Sequence, residues 1–220
     1  MSGKLFFIEG PDGVGKTTTI DLLKLALLRR SGRFEFLSFP GRAEGTLGAV
    51  VYRIHHDPAA FGIATMSELS KQALHIAAHV DAIERLIVPA LQSGTHIILD
   101  RFWWSTLVYG AAAGVHQAGL RTLVEAERLV WDRFQPALAI LLDRDRPIDR
   151  DDEISSWLKL RDAYRGLALE EGSSLSSRNR IEYADTGRGR FGHCHANRND
   201  AGGLMSEIQT FAVGKTDERW

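Results

Sequence analysis

The chain has 220 residues, 44% of them hydrophobic and 25% charged, with 27 basic and 28 acidic residues for a formal net charge of −1. That length suits one ordinary α/β domain, and the charge balance excludes a global electrostatic pull toward nucleic acid or an anionic membrane. One cysteine, Cys194, excludes an internal disulfide framework, and no apolar run approaches the roughly 20 residues that span a bilayer. The opening MSGKLFFIEG has neither the apolar core nor the cleavage site of a signal peptide. The expectation is a single domain over residues 1–220, cytoplasmic, with neither nucleic acid nor membrane as partner.

Leu5-Phe6-Phe7-Ile8 reads as a buried strand running into Glu9-Gly10. A glycine-rich turn and an amphipathic helix over about 16–30 follow, with Ile20, Leu23, Leu27 and Leu28 at helical spacing. A second strand over about 34–39 stops at Pro40-Gly41. A helix over about 44–56 ends at His55-His56-Asp57-Pro58. The longest helical pattern covers about 67–92, and a strand at His96-Ile97-Ile98-Leu99 leads into Asp100-Arg101. Helices over about 104–113 and 120–134 precede a strand over 138–142. The charged stretch 143–153 leads to a helix over about 155–171, and Arg180–Ala184 is a candidate fifth strand. This alternation predicts a three-layer α/β fold, a central five-stranded parallel sheet flanked by helices, with ligands beyond the carboxyl ends of the strands.

At the first such end, Gly10-Pro11-Asp12-Gly13-Val14-Gly15-Lys16-Thr17 matches the phosphate-loop pattern G-x-x-x-x-G-K-[ST] without departure, followed by Thr18. Glycines let backbone N–H groups close on phosphate oxygens, and the helix N-terminus adds partial positive charge. Lys16 is placed to bridge the outer phosphates of a triphosphate, ATP being the expected cofactor, and Thr17 to ligate Mg²⁺. A switch GTPase is disfavoured, because the third strand exits into Asp100-Arg101-Phe102-Trp103 rather than Asp-x-x-Gly.

Phe7-Ile8-Glu9-Gly10-Pro11-Asp12-Gly13-Val14-Gly15-Lys16-Thr17-Thr18, then Phe39-Pro40-Gly41-Arg42, then Asp100-Arg101-Phe102 with Ser105 and Tyr109, together resemble the thymidylate kinase family over about residues 4–169. The segment 87–95 is similar too. The resemblance implies a P-loop nucleoside monophosphate kinase, with a nucleoside monophosphate as second substrate and a homodimer packed through the long helices. It assigns Arg42, beside Phe39, to the acceptor phosphate, and Asp100 and Arg101 to the reaction centre, with Asp100 orienting Mg²⁺. It places Asp12 near the acceptor sugar, Thr106 near the base, and Tyr109 where a ribose 2′-hydroxyl would be disfavoured. The blander readings are a surface arginine at 42, a helix-capping ion pair at 100–101 and a turn-forming aspartate at 12.

Family members without an arginine in the phosphate loop supply one from a lid. Here 143–153 is the candidate lid, Arg150 the preferred arginine and Arg146 the second, against a plain solvated connection. Thymidylate kinases place an aromatic and an arginine four residues apart on the long helix, where this chain has His75 and His79. Gln72, His75 and His79 share a helix face. His75 could stack on a base and His79 donate to a base carbonyl. The alternatives are a polar exposed face or a zinc pair. Residues 172–220 are rich in glycine, serine and arginine and fall outside the resemblance. His193-Cys194-His195 lacks standard metal spacing, and 205–213 is a candidate helix. A nucleoside kinase and a non-catalytic nucleotide-binding regulator are the rival functions.

Overall fold

The computed structural model describes residues 2–131, 134–148, 154–174, 180–185 and 190–193, with side chains as far as residue 171. Two compact units result: Met1–Leu5 with Glu35–Gln135, and Phe6–Phe34 with Pro136–Trp220.

In the second unit, β1 (Leu5–Glu9) pairs in parallel with β4 (Leu138–Asp143), Phe6 opposite Leu138 and Glu9 opposite Leu141. Both strands are runs of large apolar residues because both of their faces are covered. On the other side, β4 pairs in parallel with β5 (Arg180–Asp185). The expectation of a five-stranded, wholly parallel sheet is corrected here. This ladder has four strands, and its last, β6 (Arg190–His193), runs antiparallel to β5. Its four residues, Arg-Phe-Gly-His, are too few and too polar to give an apolar alternation by which a strand could be read. Helix α1 (Lys16–Leu27) buries Ile20, Leu23 and Leu27, and α7 (Ile154–Ser174) buries Trp157, Tyr164 and Ala168.

The first unit contains most of β2 (Phe34–Ser38) and all of β3 (His96–Asp100), whose Ile97, Ile98 and Leu99 are buried. The Phe39 N–H donates to the Asp100 carbonyl at 3.0 Å, which sets the exits of β2 and β3 side by side. Helix α2 (Leu47–His56) starts three residues later than expected, because Thr46 caps it by accepting the Ala49 N–H. Ser67 likewise caps α3 (Glu68–Ala82). The long helix expected over about 67–92 is present from Glu68 to Gln92, with its α-helical ladder interrupted once. A π-helical turn, Ile83–Ile87, separates α3 from α4 (Val88–Gln92), with Val88 N–H bonded to Ile83 O. Pro89 supplies no N–H to continue an α-helical ladder, and a wider turn accommodates it. Helices α5 (Trp103–Ala112) and α6 (Gln117–Trp131) complete the unit. Trp103 and Trp104 are both buried, with ring planes at 72°. The candidate helix over 205–213 lies outside the described residues.

Candidate active site

In the phosphate loop, Gly10, Gly13 and Gly15 have φ of 140°, 77° and 103°, conformations open mainly to glycine. A Cβ on Gly10 would also stand 2.8 Å from the Leu142 carbonyl oxygen. Val14 is buried. Lys16 is buried as well, and its ammonium donates to the carbonyls of Gly10 at 2.7 Å and Pro11 at 3.0 Å, with an Asp12 carboxylate oxygen 3.9 Å away. The loop thus curls around its own lysine. Thr17 and Thr18 are exposed in the first turn of α1, and the Thr17 hydroxyl makes no hydrogen bond among the described residues.

The chain beyond β4 returns to this loop. Ile148 N–H donates to Gly13 O and Trp157 Nε1–H to Asp12 O, each at 2.7 Å. Trp157, Arg161 and Arg165 lie four residues apart on α7 and all face this segment. Arg161 donates to the Arg144 carbonyl, and Arg165 holds Asp143 through Nε and Nη2 at 3.0 and 2.6 Å. That hydrogen bond, ahead of a smaller opposing effect of burial, raises the Arg165 pKa. The spacing of these three side chains was readable in the sequence, but their targets were not. Arg146 is exposed, and Arg150 lies outside the described residues.

The acceptor-side residues form a cluster in the first unit. Arg42 is exposed, with its guanidinium carbon 4.2 Å above the Tyr52 ring, and it has no ion pair among the described residues. Arg101 follows Asp100 with φ of 71°, a left-handed conformation that a non-glycine side chain adopts at a cost in strain. Its Nη1 donates to Ser105 Oγ at 3.0 Å, and its guanidinium carbon stands 5.3 Å from the centre of the Tyr109 ring. Thr106 is buried on α5.

His79 is 4% exposed, stacked on Phe39 with ring centroids 4.1 Å apart, and its Nδ1 lies 2.8 Å from Glu127 Oε2. The second Glu127 oxygen accepts Trp131 Nε1–H at 3.1 Å. His79 is therefore part of a buried His–Glu–Trp network joining α3 to α6, not half of an exposed polar face. His75 Nε2 lies 3.2 Å from Nδ1 of His55. Burial, then neighbouring His79, His55, Arg101 and His56, push the His75 pKa down to about 3. Burial, followed by His56 and Lys71, also lowers that of His55. Tyr52, His55 and His56 were missed in the sequence, where 55–58 reads as a helix stop. Their i, i+3, i+4 spacing was the available signal. Among the described residues no cluster of three or more metal-ligating side chains occurs. Cys194 and His195 lie outside the described residues.

The family model for thymidylate kinase matches residues 8–150. The chain belongs to the thymidylate kinase family. Thymidylate kinase of Gluconobacter oxydans is 34% identical over 150 residues, 67% of each chain. That of Legionella pneumophila strain Corby is 31% identical over 65% of each. That of Francisella tularensis subsp. novicida is 32% identical over 84% of this chain and 76% of its own. The chain thus matches about two thirds of the length of the first two thymidylate kinases and more of the third. A solved thymidylate kinase structure from Ehrlichia chaffeensis superposes with a TM-score of 0.62 over 97% of this chain and 96% of that one, at 19% identity, and so shares its fold. Membership of the thymidylate kinase family makes the chain a nucleoside monophosphate kinase, a transferase.

Proposed function

We propose that the protein transfers the γ-phosphoryl group of ATP to dTMP, releasing ADP and dTDP. A phosphate oxygen of dTMP attacks the γ-phosphorus, and the bond from that phosphorus to the β,γ-bridging oxygen breaks, with ADP as leaving group. The observation that carries the proposal is Arg42. With its guanidinium over the Tyr52 ring and no ion pair among the described residues, it offers a fork of donors to an acceptor phosphate, and the same chain carries an intact phosphate loop. Lys16 exchanges the Gly10 and Pro11 carbonyls for outer phosphate oxygens, and the loop N–H groups bind the rest of the triphosphate. Arg101, restrained by Ser105 and Tyr109, neutralises charge on the phosphoryl group in transfer. Asp12 approaches the acceptor sugar, and a lid arginine, Arg150 by preference, covers the reacting phosphates.

Thr17 at the start of α1 and Asp100 at the end of β3 each carry a hard oxygen of the kind Mg²⁺ takes, and the ion when bound would offset triphosphate charge. A homodimer through the long helix is supported by the exposed Leu69 and Leu86. A cytoplasmic setting is supported by the lone cysteine. Among the described residues, no helix is long and apolar enough to cross a membrane.

Arg42→Ala separates this reading from a nucleoside kinase. It should raise KM for dTMP about 10- to 100-fold, the loss of a charge-assisted phosphate contact, and leave KM for ATP unchanged. Phosphorylation of thymidine by both proteins, with no diphosphate from dTMP, would overturn the reading.

A further inference from the structure

Four histidines lie in a row in the first unit. The rings of His56, His55, His75 and His79 follow one another at centroid distances of 5.5, 5.0 and 6.3 Å. The inner end is closed: His79 is buried on Phe39 and committed to Glu127 through Nδ1. The outer end is open, because His55 is exposed on the last turn of α2.

His55 Nδ1 and His75 Nε2 are 3.2 Å apart. A hydrogen bond between two ring nitrogens needs one proton and one lone pair, so the two facing nitrogens cannot both be protonated. His75 is held neutral by burial first, and then by the neighbouring His79, His55, Arg101 and His56. With both rings in the Nε2–H tautomer, His75 donates and His55 accepts at Nδ1. The opposite arrangement, His55 Nδ1–H donating to His75 Nε2, satisfies the same pair, so the Nε2–H tautomers belong to the proposal that follows. His55 then carries its proton on Nε2, at the far edge of the ring, where it meets no acceptor among the described residues. The same face of α2 carries Tyr52, on which Arg42 lies at 4.2 Å, and Tyr52 stacks on His56 at 4.0 Å. One helix face thus joins the support of an acceptor-phosphate cation to a neutral N–H donor. A nucleoside monophosphate has its phosphate and its base edge at opposite ends, which matches that layout.

We propose that His55, through Nε2–H, determines base specificity by donating to a carbonyl oxygen of the acceptor base, so that a 4-oxo pyrimidine is preferred to its 4-amino analogue. His75 is the positioning residue that holds the donating tautomer. This moves the carbonyl-reading role from His79, which is committed to Glu127, to a residue on a different helix. It rests on the dTMP kinase reading given above.

The test compares kcat/KM for dTMP and dCMP in the wild type, His55→Ala and His55→Asn, with KM for ATP alongside. The wild type should prefer dTMP. His55→Ala should shrink the dTMP-to-dCMP ratio about tenfold through KM for dTMP, leaving KM for ATP unchanged. His55→Asn, which keeps an N–H donor, should recover part of the ratio. A wild-type preference for dCMP, a ratio unmoved in His55→Ala, or equal losses on both acceptors would overturn the proposal and leave the kinase reading standing. If no monophosphate is turned over, calorimetric binding of dTMP and dCMP to the same proteins decides. A selective tenfold loss of dTMP affinity in His55→Ala supports the assignment even though the kinase reading fails, and an unchanged ratio or no binding overturns it.

Discussion

Glu127 is fully buried and accepts from two donors on different helices, His79 Nδ1 at 2.8 Å and Trp131 Nε1 at 3.1 Å. Glu127→Ala would strand both donors in the core. Each unsatisfied buried group costs about 1–3 kcal/mol, so the variant should lose about 2–6 kcal/mol of unfolding free energy in urea titration. A loss below about 0.5 kcal/mol would show that the network does not hold α3 to α6. The network also marks where reading residues singly stops. The i, i+4 spacing of His75 and His79 placed them on one face of one helix. It could not show that Glu127, 48 positions from His79, turns one of them inward. The phosphate loop, by contrast, was legible residue by residue, because its chemistry lies in eight consecutive positions with local backbone needs. Gly10 shows this: its φ and its closeness to the Leu142 carbonyl both demand the residue present there.

At the scale of elements, α7 works as a brace for the loop it follows in sequence by some 140 residues. Trp157, Arg161 and Arg165 bond to Asp12, Arg144 and Asp143 from successive turns. Trp157→Phe keeps the buried ring surface and removes the donor to Asp12. It should cost about 1 kcal/mol of stability and raise KM for ATP several-fold, with KM for dTMP unchanged. Equal ATP kinetics in the variant would show that the brace has no part in nucleotide binding. The sequence marked 143–153 as charged, and charge alone does not distinguish a lid from a segment tied back to the loop. Helix existence was legible throughout from apolar spacing. The widened turn at 83–87 was not, because Pro89 announces a disturbance in the helix but not the π-helical turn that absorbs it.

Among the described residues of the whole molecule, three histidines carry pKa values lowered chiefly by burial: His75 to about 3, and His55 and His96 in the same direction. Unfolding returns each toward about 6.5, so below that pH the unfolded chain binds protons that the folded chain refuses. Their contribution to stability is intact above about pH 6.5 and falls continuously from there toward about pH 3. The urea midpoint should therefore be lower at pH 5.5 than at pH 7.5, and the difference should shrink in His75→Asn. A midpoint that rises on acidification would contradict the sign.

The near-zero net charge of the chain hides the cations that matter, Lys16, Arg42 and Arg101, each of which stands at or just beyond the exit of a strand. The measurement that bears most directly on the central claim is product stoichiometry. With ATP, Mg²⁺ and dTMP, chromatographic quantification should show dTDP and ADP forming in a one-to-one ratio, with the rate falling by more than about 100-fold in Lys16→Ala. ADP released without dTDP, or dTDP formed equally well by Lys16→Ala, would contradict the account.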